Sequence, residues 1–244
     1  MENHIYHRGI IVIRSEMMRI YEAPSEHSIS ALFTCDPPID PTEVSIHIVS
    51  PPNPEQKPAW YLPKIDDIEI QVWPKLKLWL AHIDLTKPSV LICDISQTTL
   101  ELHALIDVLH AKDSPIVLVV LGGAEDAASA VALLKRGAID YLSVPFNDQQ
   151  LQVTVQRAHN LTLDRAKLRH MRRLYEQLTD KEKCIAHELM QGNINKVIAD
   201  NLEVSVRTVE VHRAHVMTKM QATHISELIQ KLLLVTLWKG YAPR

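Results

Sequence analysis

The chain is poor in cysteine: only three occur in 244 residues, they lie far apart, and no CxxC motif is present. A secreted disulfide scaffold needs more cysteines at closer spacing. No apolar run approaches the ~20 residues that a membrane span requires, and the N-terminus lacks the basic and apolar regions of a signal peptide. These absences predict a soluble protein of the reducing cytoplasm.

Motifs of catalysis and metal binding are also missing. The sequence contains no P-loop and no recognisable pair of nucleophile and base, and none of its 13 histidines lies in an HExxH pattern. His212 and His215 are one helical turn apart, but no carboxylate or thiol accompanies them at ligand spacing. We therefore expect no enzymatic activity, no cofactor and no bound metal.

The chain has no excess of positive charge. Its 26 Lys and Arg against 29 Asp and Glu give a net charge of −3, so no global basic field indicates nucleic acid and any basic surface must be local. The length is sufficient for two small domains, each with its own core.

Strand and helix patterns alternate over residues 44–160. β-branched and apolar runs predict five strands, at Val44–Val49, Ile68–Trp73, Val90–Asp94, Ile116–Leu121 and Ile139–Ser143. Helical segments separate most of them, which predicts βαβ units and an α/β flavodoxin-like domain with a parallel sheet. The third strand ends in a carboxylate, Asp94, which a buried parallel strand would deliver to the edge of the sheet.

The remaining segments are organised around this domain. Residues 1–43 form an N-terminal extension whose fold the sequence leaves open; it could dock a partner protein or extend the sheet. Asn147–Glu176 contains neither Gly nor Pro and predicts a long helix that continues into a helical linker at 161–177. Six basic residues on this helix suit a solvated face, a dimerising helix or contacts to a DNA backbone: Arg157, Arg165, Lys167, Arg169, Arg172 and Arg173.

Residues 178–244 predict an all-α domain of four helices. Thr179 with Glu182 three residues later forms a capping box for the first helix. Asn195–Asn201 follows as a short second helix, and Ser205 caps a third that runs to about Met220. Two helices joined by a short turn can place the second in the major groove of DNA.

This C-terminal module resembles the LuxR-type helix-turn-helix, specifically that of the NarL/FixJ class of response regulators. The block RTVEVHRAHVMTKM is its most specific part. The matching residues are Leu178-Thr179, Glu182, Gly192, Asn195-Lys196, Ile198-Ala199, Leu202, Ser205, Thr208-Val209, His212-Arg213 and Lys219-Met220. The resemblance implies binding to double-stranded promoter DNA and a function in transcription.

The resemblance also implies roles for individual residues. Glu210, Val211 and Ala214 occupy the base-facing positions, where Glu can accept from a cytosine amino group and Val or Ala can contact thymine methyls. The residues expected at the DNA backbone are Lys196, Ser205, Arg207, Thr208, Arg213 and Lys219. The residues expected at a homodimer surface, with the domain's own core as the alternative, are Leu228, Ile229, Leu232 and Leu233.

The middle domain resembles a receiver, with Asp94 at the phosphoacceptor position and KRGAIDYLSVPF matching the final helix, strand and loop. Phosphorylation of a carboxylate needs Mg²⁺ to neutralise charge, but Ser50 and Pro51 stand where the family has an acidic pair. Gly122 replaces the family's hydroxyl residue and Val144 its lysine. These positions predict a degenerate receiver with a vestigial Asp94.

The sequence therefore predicts a sequence-specific transcriptional regulator, an atypical response regulator of a two-component system that works as a homodimer without aspartyl phosphorylation. Two alternatives concern its input. The pseudo-receiver could bind a small molecule such as a nucleotide second messenger, or a regulatory protein could control the chain.

Overall fold

The computed structural model describes residues 10–11, 44–50, 70–95 and 99–238. They form two compact units that divide between Ala166 and Lys167. This division lies inside the segment that the sequence assigns to a linker. Within the described part of the chain, none of the helices combines the length and apolar character that crossing a bilayer would need.

The first unit is built on a six-stranded sheet with the order β1-β3-β2-β4-β5-β6. The strands are β1 (Ile10–Ile11), β2 (Ser45–Val49), β3 (Ile70–Trp73), β4 (Ser89–Asp94), β5 (Val117–Gly122) and β6 (Asp140–Ser143). The five strands β2 to β6 run parallel, whereas β1 pairs antiparallel with β3. Because the parallel strands follow the flavodoxin-like order, the predicted fold class is confirmed, and β1 extends the sheet.

Four helices belong to this part of the chain: α1 (Leu76–His82), α2 (Thr99–Ala111), α3 (Ala127–Arg136) and α4 (Asp148–Glu176). Gly137 ends α3 with φ = 129°, and its amide donates to the Leu133 and Leu134 carbonyls. A residue with a Cβ rarely adopts this conformation, so glycine is the natural stop. The long helix predicted after Asn147 is a single helix of 29 residues.

The sheet is buried on both faces, as expected for parallel strands. Successive residues of β4 alternate between two apolar layers. Leu91 and Cys93 face a cluster that includes Trp79 of α1, Leu102 of α2 and Leu133 of α3. Val90 and Ile92 face a second cluster with residues of α4, namely Leu151, Val155 and Ala158. Full burial of an aliphatic side chain contributes about 1.5–3 kcal/mol, so these two layers hold the helices on the sheet.

Two polar side chains of α4 also join it to the sheet. Thr162 is fully buried, and its hydroxyl lies 2.6 Å from the carbonyl oxygen of Pro115 and 3.2 Å from that of Ser89. The Arg165 guanidinium donates to the Ile116 carbonyl at 3.2 Å, and burial lowers the pKa of Arg165. Arg165 is therefore part of the packing of this unit and does not belong to a solvated basic face.

After the end of α4, the described residues of the second unit form four helices, as predicted: α5 (Asp180–Met190), α6 (Asn195–Asn201), α7 (Val206–Lys219) and α8 (Ile225–Trp238). The capping box is present, since the Glu182 amide donates to Thr179 Oγ1 and the Thr179 amide donates to the Glu182 carboxylate. Ser205 caps α7 by accepting from the Thr208 amide at 3.0 Å. Each cap satisfies amides that the first turn of a helix leaves unpaired.

The leucines of α8 divide between the core and the surface. Leu228 and Leu232 are fully buried with Ile198, Val209 and Val216. These two leucines lie in the domain's own core, and their part in a homodimer surface stays a prediction. Their spacing of four residues places both on the inner face of the helix. Ile229 is half-buried and Leu233 is 41% exposed.

We expect Thr162→Val to destabilise the first unit by about 1–3 kcal/mol, because the Pro115 carbonyl loses a buried donor without a change in side-chain shape. Urea unfolding followed by tryptophan fluorescence measures this, since Trp73 and Trp79 lie in this unit. Thr154→Val is the matched control on the same helix, because the Thr154 hydroxyl makes only a 3.5 Å contact with Asp140. Equal losses in both variants would contradict the role of Thr162.

Candidate nucleic-acid interface and receiver edge

Helices α6 and α7 form the helix-turn-helix. The turn between them contains Glu203 with φ = 53°, and the Val204 amide returns to the Ala199 carbonyl at 3.0 Å. A side-chain bond adds to this connection, because the Arg213 guanidinium on α7 donates to Asn195 Oδ1 on α6 at 3.1 Å. The position of α7 relative to α6 is therefore fixed by polar contacts as well as by the apolar core.

Glu182 fixes α7 against α5. Its carboxylate accepts from Lys219 Nζ at 2.7 Å and from the Thr179 amide at 2.8 Å, and its side chain is 4% exposed. The hydrogen bond from Lys219 lowers the pKa of Glu182 to about 2; burial acts in the opposite direction, and the bonds from Thr179 lower the pKa further. The same carboxylate therefore caps one helix and anchors the end of another.

The outer face of α7 is exposed and chemically mixed. Arg207, Glu210, Val211 and Ala214 are all exposed, and Val211 is 41% exposed although it is apolar. Arg207 and Glu210 form an ion pair at 3.4 Å. A surface pair of this kind contributes only about 0–1 kcal/mol, so both side chains can exchange this contact for another partner at little cost.

The residues expected at the DNA backbone differ in their exposure and in whether they have hydrogen-bond partners within the protein. Lys196 is exposed and Thr208 is half-buried beside Ser205, whose hydroxyl is 2.8 Å from that of Thr208. Arg213 is engaged by Asn195, and Lys219 by Glu182 and the Gln177 carbonyl. The structure thus gives Arg213 and Lys219 internal partners that the sequence did not reveal, because those partners lie on other segments of the chain.

In the first unit, the strand ends bring the four described receiver positions to one edge of the sheet. β2 pairs with β4 so that Ser50 follows the pair Val49 and Cys93, next to Asp94. The Val144 amide donates to the Gly122 carbonyl at 2.8 Å. Asp94 is half-buried at the end of β4. Pro51 lies outside the described residues.

The position of Gly122 is tightly packed. A Cβ atom there would lie 2.9 Å from Asp126 Oδ2 and 2.9 Å from Ile95 Cγ1, closer than ordinary van der Waals contact. Asp126 is held in place, because it accepts from the Gly123 amide at 2.9 Å. The Tyr141 hydroxyl donates to the Gly123 carbonyl. A side chain at position 122 would therefore need the side chains of Asp126 and Ile95 to shift.

Acidic side chains lie at this edge of the sheet, but those that the structure describes do not gather into a group of three metal ligands. Glu125 and Asp126 follow β5, and burial together with Asp126 and Glu125 raises the pKa of Tyr141, which a hydrogen bond with Ser143 partly offsets. Among the residues that the structure describes, no three carboxylate, imidazole or thiol ligands gather here. One carboxylate at the acceptor position is poorly equipped to hold Mg²⁺, which takes oxygen ligands in octahedral geometry.

Comparison with known proteins identifies the chain. The model of the LuxR family of bacterial regulatory proteins (GerE) matches residues 176–232. The tetrathionate response regulatory protein TtrR of Salmonella typhimurium is 35% identical over 163 residues, which cover 67% of this chain and 79% of that protein. The chain is a response regulator of the NarL/FixJ type. Its C-terminal unit is a LuxR-type DNA-binding domain, and the regulator acts in transcription.

Further relatives agree with this assignment. The transcriptional regulatory protein FixJ of Rhizobium meliloti is 28% identical over 196 residues, or 79% of this regulator and 96% of FixJ. The structure of the response regulator StyR superimposes with a TM-score of 0.56 at 23% identity, and covers 78% of this chain and 98% of StyR. The StyR comparison shows the fold of this response regulator.

We predict that the second unit loses stability as the pH falls from about 4.5 towards 2. The folded pKa of Glu182 is about 2, against an ordinary value of 4.5, so the stabilisation is present above 4.5 and is lost as the carboxylate is protonated. Glu227 contributes to stability in the same pH range. Burial raises the pKa of Glu227, but the hydrogen bonds from Lys231 and Thr223 outweigh burial and lower it to about 2.

Glu182→Gln should reduce the pH dependence by roughly half, because one of two such groups is removed. Thermal unfolding followed by circular dichroism measures this as the slope of Tm against pH between pH 5 and pH 2.5, in steps of about 0.5 pH unit. Glu203→Gln, which removes an exposed carboxylate of the same unit, is the matched control. A Glu182→Gln variant with the wild-type slope would show that Glu182 carries no such linkage.

Proposed function

We propose that this response regulator binds promoter DNA sequence-specifically through the exposed face of α7, as a homodimer and without phosphorylation of Asp94. The observation that carries the proposal is that α7 is anchored at its middle and at its C-terminal end while its outer face is exposed. Lys219 with Glu182 and Arg213 with Asn195 supply the anchors. A helix held in this way can be inserted into the major groove as a rigid element.

Base readout is assigned to Glu210, Val211 and Ala214. All three are exposed on α7, and their chemistry suits a cytosine amino group and thymine methyl groups. Arg207 and Lys196 are exposed cations that suit phosphate oxygens, and Thr208 can add a hydroxyl contact. The exposed pairing of Arg207 with Glu210 is weak enough to be replaced by contacts to DNA.

The charge of the module supports binding as a dimer. Residues 176–231 contain seven Lys and Arg against eight Asp and Glu, so the electrostatic attraction of one module for DNA is modest. Two modules on two half-sites double the number of contacts. Ile229 and Leu233 are the members of the predicted dimer set on α8 that keep accessible side chains, and we assign the dimer contact to them.

Independence from phosphorylation is inferred from the sheet edge of the first unit. Ser50 offers a hydroxyl where a hard cation needs a carboxylate, and Val144 offers no positive charge to a phosphoryl group. Gly122 has no hydroxyl, and the side chains of Asp126 and Ile95 lie within 2.9 Å of where a Cβ atom would be. From these positions a phosphoryl group on Asp94 would therefore gain neither a pair of carboxylates to hold a metal nor a lysine ammonium group.

The DNA contacts can be tested by fluorescence anisotropy with fragments of the regulator's own promoter region. Arg207→Ala should weaken binding to all fragments and reduce the salt slope by about 1, because one phosphate contact is lost. Glu210→Ala should cost about 1–3 kcal/mol at one base pair and relax the preference there. Lys135→Ala, which removes an exposed charge from the first unit, is the control. Unchanged affinity and specificity in both α7 variants would refute this interface.

The receiver claim can be tested with a small-molecule phosphodonor and Mg²⁺. Intact mass spectrometry should show no added phosphoryl group, and size-exclusion chromatography should show the same oligomeric state before and after treatment. Asp94→Asn serves as the control for modification at this position. A phosphorylated wild-type chain together with an unmodified Asp94→Asn chain would overturn the claim.

A further inference from the structure

Two histidines of α7 meet a carboxylate of α5 in the second unit. One ring nitrogen of His212, one of His215 and one carboxylate oxygen of Glu182 all lie within 4.8 Å of one another. Across the residues that the structure describes, no other group of three or more His, Cys, Asp or Glu side chains has this arrangement. The sequence places the histidines one turn apart but leaves them without a third ligand, which the fold supplies from another helix.

The distances are compatible with closure around a metal ion. Zn²⁺ binds imidazole nitrogen at about 2.0–2.1 Å and carboxylate oxygen at about 2.0–2.2 Å in tetrahedral geometry, which places neighbouring ligand atoms about 3.3 Å apart. Glu182 Oε1 and His215 Nδ1 are already 3.7 Å apart. His215 is 58% exposed, so a change of rotamer can bring its ring inwards without disturbing the core.

The protein leaves this cluster open to a further ligand. His212 Nδ1 is buried and has no hydrogen-bond partner among the described residues, although buried polar atoms are usually paired. The rings of His212 and His215 stand edge to face with centroids 6.2 Å apart. Both imidazoles therefore lie beside the Glu182 carboxylate, where a cation would replace the 3.7 Å contact between His215 and Glu182.

Lys219 lies beside this cluster and binds the carboxylate oxygen of Glu182 that faces away from His215. Its ammonium group lies 2.7 Å from Glu182 Oε2, whereas His215 faces Oε1. A cation bound to Oε1 would share the carboxylate with Lys219, and the two positive charges would repel each other. Removal of the ammonium group should therefore strengthen cation binding, which gives the site a signature that a chance pair of surface histidines would not have.

We propose that Glu182, His212 and His215 form a binding site for a divalent transition cation of the Zn²⁺ class. Two imidazoles and one carboxylate are ligands that Zn²⁺ favours, and a water molecule completes four-coordination. The bound ion joins α5 to α7 directly. This inference does not depend on DNA binding, because it concerns metal affinity and domain stability alone.

The test is calorimetric titration of the untagged, chelator-washed full chain with Zn²⁺. We expect one equivalent to bind, and saturating Zn²⁺ to raise the Tm by roughly 5 °C or more. Co²⁺ should give the visible absorption of a four-coordinate site.

Three variants make the outcome decisive. His215→Asn alters an exposed side chain and should weaken Zn²⁺ binding at least about tenfold, in keeping with the loss of one ligand. His224→Asn removes an exposed histidine outside the cluster and should bind Zn²⁺ as the wild type does. Lys219→Met should bind Zn²⁺ more tightly, with circular dichroism as a check on folding. Absence of stoichiometric binding, or equal affinities of the wild type and His215→Asn, would overturn the proposal.

Discussion

The buried carboxylate of Glu182 is the interaction on which the second unit depends. It caps α5 through the Thr179 amide and holds the end of α7 through Lys219. Because the ammonium group and the amide satisfy it, its charge is maintained with a side chain only 4% exposed. The outer face of α7 is therefore not needed to hold the helix in place, and its side chains are available to contact DNA. The proposed cation site uses the remaining oxygen of the same carboxylate, beside that helix.

The first unit has the architecture of a receiver, and the packing of its sheet places Asp94 at one edge. The apolar layers on both faces of β4 and β5 define the sheet, and they hold Asp94 where strands of this fold present ligands. Ser50, Gly122 and Val144 take the other positions, and Asp126 fills the space beside Gly122. Burial maintains the sheet independently of the side chains at its edge, so the fold does not depend on which residues stand at these positions.

Local signals in the sequence predict much of this structure. Thr179 with Glu182, Ser205 and Gly137 mark helix ends through their own chemistry, and the alternation of strands and helices leads to the parallel sheet. Contacts between distant segments could not be predicted in the same way. Lys219 and Glu182 are 37 residues apart, so their pairing, and the meeting of Glu182 with His212 and His215, follow only from packing. Periodicity groups Leu228 with Leu232, but it does not tell which face of α8 is covered.

The central claim is that this regulator occupies specific promoters through α7 without using Asp94 as a phosphoacceptor. Genome-wide DNA occupancy, measured in its host for the wild type and for Asp94→Asn expressed at equal levels, tests both parts together. The account predicts discrete promoter sites that are the same, with similar occupancy, for the two proteins. The absence of discrete sites, or their loss in Asp94→Asn, would contradict it.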